Sequence, residues 1–336
     1  MKILEKLEQF FTPLILTLVL VLVVLTFSIF NEFIATRYID LEYANSLTSD
    51  GPLQTQRLLE MLEANSVHPR GFYNYGNLHH ILSFWLAKVF LVIGYPLSYS
   101  LAALSLALIQ WIAALATGFL TFAFLRKFSL PLSASALIAV VLVLGPSGLF
   151  GWIHQLHPDV VQIPFLLSVL IVIYKLSVPR LIIASFFIGL ATGVKYIGAI
   201  YGIIIPIAWG LMVAQRHSGF EARALFREIP FTVKLGIGCL LSFSLGFFIF
   251  NHTVLIHFDL FFNDFIYEMG HVSYGDGRLE SANGFEWIPL LHSQLSFLWA
   301  IPLVLPLVTL LTKFLGSGNL SIRKRHFIII LTFLTI

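Results

Sequence analysis

Leu78-His79-His80-Ile81-Leu82-Ser83-Phe84-Trp85-Leu86-Ala87-Lys88-Val89-Phe90-Leu91-Val92-Ile93-Gly94-Tyr95 is the stretch on which the topology turns. Its 18 residues are almost as many as the ~20 that a bilayer span needs. If it crosses a membrane, Arg126/Lys127, Lys175/Arg180, Arg216/Arg223/Arg227 and Arg323/Lys324/Arg325 all face outward. If it lies in the interface or re-enters, those residues join Lys2 and Lys6 inside. With Lys234 and Lys313, fourteen Lys/Arg then face four Asp/Glu inside, while the outer loops 32–77, 150–159 and 252–288 hold four Lys/Arg and the other thirteen acids. The positive-inside rule selects the second arrangement. His79, His80 and Lys88 within the run also suit an interfacial helix better than a lipid-buried one.

Composition makes lipid the solvent. The chain of 336 residues is 58% hydrophobic and 11% charged, with a mean hydropathy of +0.90. Apolar runs lie near 11–31, 78–95, 98–125, 131–149, 160–175, 181–214, 233–251, 289–312 and 326–336. Backbone in lipid must satisfy itself, so the spans are expected to be helices. The 181–214 run is too long for one span, and Gly193 and Gly198 flank Lys195 and Tyr196 near its middle. The expected break there divides it in two. The fold class is therefore all-α, a polytopic integral membrane helix bundle. Short interfacial helices are expected in the first and last outer loops, residues 258–269 among them because aromatics and acids interleave there.

This reading gives one transmembrane domain over 1–336, with an inside N-terminus, eight complete spans and a ninth begun at His326. The ninth run stops after eleven residues, so the chain is expected to be a piece of a longer protein. The first run lacks a small-residue cleavage site and is longer than a signal-peptide core, so it reads as a retained span. The lone cysteine, Cys239, excludes an intrachain disulfide. A net charge of +3 without an aromatic-laced basic run argues against nucleic acid as a partner.

The residues able to do chemistry gather in the outer loops. The first reads Arg37-Tyr38-Ile39-Asp40-Leu41-Glu42-Tyr43 and continues through His68-Pro69-Arg70 to Tyr75-Gly76. Asp40 either caps a short helix beginning at Leu41 or meets a substrate at the membrane edge. Glu42, two residues on, cannot share its helical face. The second loop, Trp152-Ile153-His154-Gln155-Leu156-His157-Pro158-Asp159, ends in what reads as the first turn of the next helix, where proline and an acid both fit. His154 and Asp159 could instead bind substrate at the outer mouth. The two histidines and Asp159 match no strong zinc spacing.

Lys195, in Gly189-Leu190-Ala191-Thr192-Gly193-Val194-Lys195-Tyr196, is the most informative single residue. Intramembrane lysines are functional candidates by default. This one either snorkels to the interface or meets an anionic headgroup such as a phosphate as a point charge. The third outer loop carries Glu268 and His271, followed by Arg278 as its single basic residue. A lone arginine is suited to holding a phosphate.

In combination these segments resemble the polyprenyl-phosphate-sugar-dependent glycosyltransferases of the C superfamily, and within it the protein-mannosyltransferase-like family 39 group. Five elements in order carry the resemblance: the acidic motif Ile39–Tyr43, the stretch His68–Leu78, His154–Val160, Gly189–Tyr196 and Asn251–Asp276. Three departures are visible. The family's Asp-Glu doublet is Asp40-Leu41-Glu42 here, Asn251-His252 replaces Asn-Pro, and Asp276 stands where histidine is common.

The resemblance implies transfer of a sugar, with inversion, from a polyprenyl-phosphate donor to a lipid, glycan or protein acceptor at the periplasmic or lumenal face. It implies Asp40 as catalytic base, and Lys195, Arg278 and Arg70 on the donor phosphate. Glu42, Tyr43, His154, Asp159, Tyr196, Glu268 and His271 would contact substrate. No cofactor is required, although a divalent metal is compatible with the scheme. The expected setting is a bacterial inner membrane, with membrane lipids as surroundings and the N-terminus cytoplasmic. The rival from another class is a transporter or flippase for a lipid-linked or anionic substrate, which would place charges at mid-depth and repeat its broken helices. A non-catalytic membrane scaffold is the second rival.

Overall fold

The computed structural model describes residues 50–67, 75–128, 130, 132–144, 156, 158–216 and 222–274. Among the described residues every regular element is helical. In chain order they are α1 (Asp50–Glu63), α2 (Leu78–Val92), α3 (Tyr99–Lys127), α4 (Leu132–Leu144), α5 (Asp159–Ile173) and α6 (Val178–Val194). A 3-10 helix (Tyr196–Ile203) follows, then α7 (Ile204–Arg216), α8 (Ala222–Asn251), α9 (Thr253–Ile256) and α10 (Phe258–Tyr274).

Three of these segments are long and apolar enough to cross a membrane: Tyr99–Lys127, Tyr196–Val213 and Glu228–Asn251. The apolar helices α2, α5 and α6 are shorter. The runs at 11–31, 289–312 and 326–336 lie outside the described residues.

The chain forms two compact units. One contains the described residues up to Pro164 with Asp259–Asp264; the other contains Phe165–Phe258 and continues from Phe265. In the first, α1 packs on α2 and α3, α2 on α3, and α3 on α4. Leu58, Met61, Leu78 and Leu106 fill its core. The α3 start is fixed by Ser98, whose hydroxyl accepts from the Leu101 N–H at 3.2 Å. Its last turn carries Arg126 and Lys127, which oppose the negative end of the helix dipole.

The stop of α2 is written in the sequence. Gly94 takes a φ of +98°, the Tyr95 N–H bonds the Phe90 carbonyl at 3.0 Å and the Gly94 N–H bonds that of Leu91 at 3.2 Å. The Phe90 and Tyr95 rings close over this turn, 5.3 Å apart. This is a Schellman termination with its apolar contact. It holds α2 to 15 residues, about 22 Å at 1.5 Å per residue, against a hydrocarbon core of about 30 Å.

The polar residues of α2 lie where the sequence reading did not put them. His79 and His80 do not face an aqueous interface: they are 1% and 4% exposed, turned inward with Ser83. Trp85, Val89, Val92 and Ile93 form the exposed side instead. Lys88 is half-buried, with its ammonium 5.8 Å from the centre of the Phe84 ring.

In the second unit α6 and α8 make the closest helix pair. A Cβ at Gly189 would overlap the Phe243 carbonyl oxygen, and one at Gly246 the Phe186 carbonyl oxygen. Small residues thus bring the two backbones into contact, the packing mode that helices use where lipid removes the hydrophobic drive. The Ser242 hydroxyl donates across the pair to the Ile182 carbonyl at 2.7 Å. The Trp209 indole N–H donates to the Thr232 hydroxyl at 3.0 Å, tying α7 to α8. On its other side α8 exposes Ile229, Val233, Ile237, Leu240, Leu241 and Leu245, an apolar face of the kind that lipid covers.

Candidate functional site

Lys195 sits where α6 ends. The helix enters with Pro179 in its first turn, where a missing N–H costs nothing. It leaves at Lys195, whose backbone is extended with φ −149° and ψ 128°. The Lys195 N–H still reaches back to the Ala191 carbonyl at 3.1 Å, and its own carbonyl accepts from the Gly198 N–H at 2.9 Å to open the 3-10 helix. The expected division near Gly193 and Gly198 is therefore found, one residue after α6. Eight residues of 3-10 helix is a long run of a geometry that favours three or four, and such runs mark hinges and functional breaks.

A break within an apolar segment leaves carbonyls without helical partners. The Gly193 carbonyl is met from α8 by the Asn251 carboxamide at 3.3 Å. Tyr196, the residue after Lys195, packs against Phe247 of α8 and Phe265 of α10, with centroids 6.4 and 6.0 Å away. Lys195 itself is half-buried. The second unit thus brings a cation and a tyrosine together at a rigidly bracketed helix end.

Asp159 belongs to the first unit. It opens α5 directly after Pro158, whose carbonyl accepts from Val161 at 2.9 Å and from Gln162 at 3.3 Å. An acid in this first turn complements the positive end of the helix dipole. Glu268 and His271 fall three residues apart in α10. Asp40, Glu42, Tyr43, Arg70, His154 and Arg278 lie outside the described residues. Among the described residues no group of three or more His, Cys, Asp or Glu is placed to hold a metal ion.

Sequence reasoning missed a polar junction inside the first unit. Gln54 of α1, His79 and His80 of α2 and Gln110 of α3 are all buried, with Arg57 of α1 beside the histidines. The His79 Nε2 lies 3.2 Å from the Leu106 carbonyl, one turn before Gln110. The two histidine rings are 5.9 Å apart. Among the described residues, both amide atoms of Gln54 and of Gln110, and Nε2 of His80, meet no hydrogen-bond partner. The one signal available was the pair of histidines in an apolar run; glutamines at 54 and 110 give no periodic cue.

Unpaired buried amides are costly, so replacing one should help. Gln110→Leu, close in volume, is expected to raise stability by about 1–3 kcal/mol, the usual cost of a buried unsatisfied group. Thermal melting in detergent checks this, and a lower Tm for the variant would contradict the packing described here. Comparison of this chain with family models, with curated proteins and with solved structures gives no match.

Proposed function

We propose that this chain is a membrane glycosyltransferase that moves a sugar from a polyprenyl phosphate to an acceptor at the outer membrane face. The observation that carries the reading is the helix break at Lys195. The Gly189–Tyr196 segment, singled out by its resemblance to the family, coincides with a stop in α6 that presents a half-buried cation at the end of an apolar helix. The donor's lipid tail would lie in the bilayer and its sugar-phosphate bond at the surface. The full topology proposed is polytopic, with eight complete spans, a cytoplasmic N-terminus and a bacterial inner membrane as setting. Helices α1 and α10 would lie along the outer surface, α10 with Phe258, Phe262 and Ile266 exposed toward lipid.

The chemistry is an in-line displacement at the anomeric carbon. The acceptor oxygen forms the new glycosidic bond as the bond to the phosphate oxygen breaks, which inverts the centre. Asp40 takes the acceptor's proton. The phosphate leaves with the bonding electrons, and Lys195, Arg278 and Arg70 stabilise the charge that develops on it. Asp159, Tyr196 and the other outer-loop residues orient donor and acceptor.

A second reading has one observation in its favour. Broken apolar helices also hold anionic substrates in transporters. Donor binding and its specificity test the lysine assignment in either case. With the full chain in nanodiscs, polyprenyl phosphate is expected to bind about 10–100-fold more weakly to Lys195→Ala, the scale of a hydrogen bond to a charged group. Inorganic phosphate and phosphatidic acid run as separate arms distinguish a lipid-linked phosphate from a free anion or any anionic lipid. Equal affinity of wild type and variant would remove Lys195 from the site.

A further inference from the structure

We infer that Asn251 is a positioning residue: its carboxamide fixes the broken end of α6, and through it the place of Lys195. The inference rests on the reading of Lys195 as a phosphate contact. Asn251 is fully buried at the C-terminal end of α8. Its Nδ2 donates to the Gly193 carbonyl at 3.3 Å and to the Phe247 carbonyl, one turn back in its own helix, at 3.0 Å. One NH2 group therefore ties the last turn of α6 to the last turn of α8, two residues before Lys195.

The surroundings are built around this contact. A Cβ at Gly193 would stand 2.7 Å from the Asn251 Nδ2, so only glycine admits the carboxamide to that carbonyl. Phe247, whose carbonyl takes the second hydrogen bond, is also the residue of α8 that packs on Tyr196. Both neighbours of the helix break are thus set from one turn of α8: Gly193 through Asn251, and Tyr196 through Phe247. A side chain needed only to end α8 would have no reason to reach into α6. The lysine's long stem is flexible, so the placement of its charge depends on how firmly its backbone is held.

Two measurements on the full chain in nanodiscs test this. Hydrogen–deuterium exchange comes first. Asn251→Asp removes the donor, and exchange should accelerate at residues 195–198 while residues 235–245 of α8 keep their protection. Asn251→Ala, which removes the donor without adding a charge, serves where the aspartate variant yields no folded protein. Unchanged exchange at 195–198 in the folded variant would overturn the clamp, whatever Lys195 binds.

Polyprenyl phosphate affinity comes second. Asn251→Asp should lower it about tenfold, the upper range for one lost hydrogen bond, and Lys195→Ala/Asn251→Asp should bind no more weakly than Lys195→Ala alone. Losses that multiply would show that Asn251 acts apart from Lys195 and overturn the positioning role. If exchange accelerates but Lys195→Ala binds like wild type, the clamp stands and the phosphate assignment falls.

Discussion

Gly246→Ala is expected to abolish or severely reduce the folded protein, although it adds a single methyl group. That methyl would overlap the Phe186 carbonyl oxygen, and the amide nitrogen of Leu190 would lie 3.1 Å away. Backbone cannot rotate aside as a side chain does, so α6 and α8 must separate along their length. Separation breaks the Ser242 to Ile182 hydrogen bond and the Asn251 to Gly193 hydrogen bond together. The cost exceeds the ~1–3 kcal/mol typical of an overpacked core, because the interface gives way as a unit.

Gly236 is the internal control. It lies in the same helix, with nothing among the described residues within 4 Å of an added Cβ. Gly236→Ala should therefore be neutral or stabilising by about 0.5–1 kcal/mol, from the helix propensity of alanine alone. Yield and thermal melting in detergent compare the two directly. Equal melting temperatures would mean that α6 and α8 do not meet at Gly246.

Acid is expected to destabilise the first unit well before any carboxylate of ordinary pKa titrates. His80 sits in α2, outside the proposed spans. Burial pushes its pKa down from 6.5 to about 3, with the neighbouring His79 and then Arg57 adding repulsion, and a hydrogen bond with the Gln54 backbone opposing them. A depressed histidine is held neutral in the folded state, while the unfolded chain takes up a proton near 6.5. The contribution is therefore intact above pH 6.5 and is lost progressively as pH falls toward 3, at about tenfold in the folding constant per pH unit. Among the described residues, the charged or titratable groups acting on His80 are His79 from α2 and Arg57 from α1. Melting curves from pH 8 to 4.5 should show the loss beginning near 6.5, and His80→Leu should flatten it. A flat wild-type profile, or the same slope in His80→Leu, would contradict the burial of this ring.

Much of the helical pattern was legible because hydropathy and punctuation agree. The runs at 98–125 and 131–149 correspond to α3 and α4, and Pro158-Asp159 marks the start of α5. The break at Lys195 was legible from two glycines around a charge in an overlong apolar run. Span limits read from hydropathy are not helix limits, however. Helix α8 begins at Ala222, eleven residues before the apolar run at 233, because Ala, Arg, Leu and Glu propagate a helix in water as well as in lipid.

The inward turn of His79 and His80 was not legible. A short helix that is apolar almost all round has no face that sequence alone can assign. The Asn251 to Gly193 contact joins residues 58 apart in the chain, and such a pairing leaves no local trace. For the candidate site, residue types in outer loops were a guide to chemistry, whereas the bracketing of Lys195 by α8 emerged only from packing.

The most direct test of the central claim is consumption of donor by the full chain in proteoliposomes. Undecaprenyl phosphate carrying a radiolabelled hexose or pentose would be supplied with a membrane lipid extract as acceptor. The account predicts transfer of label out of the donor, loss of that transfer in Asp40→Asn, and a raised donor KM in Lys195→Ala. No consumption of any donor, or variants that both match wild type, would contradict the catalytic assignment and favour transport of an anionic lipid-linked substrate instead.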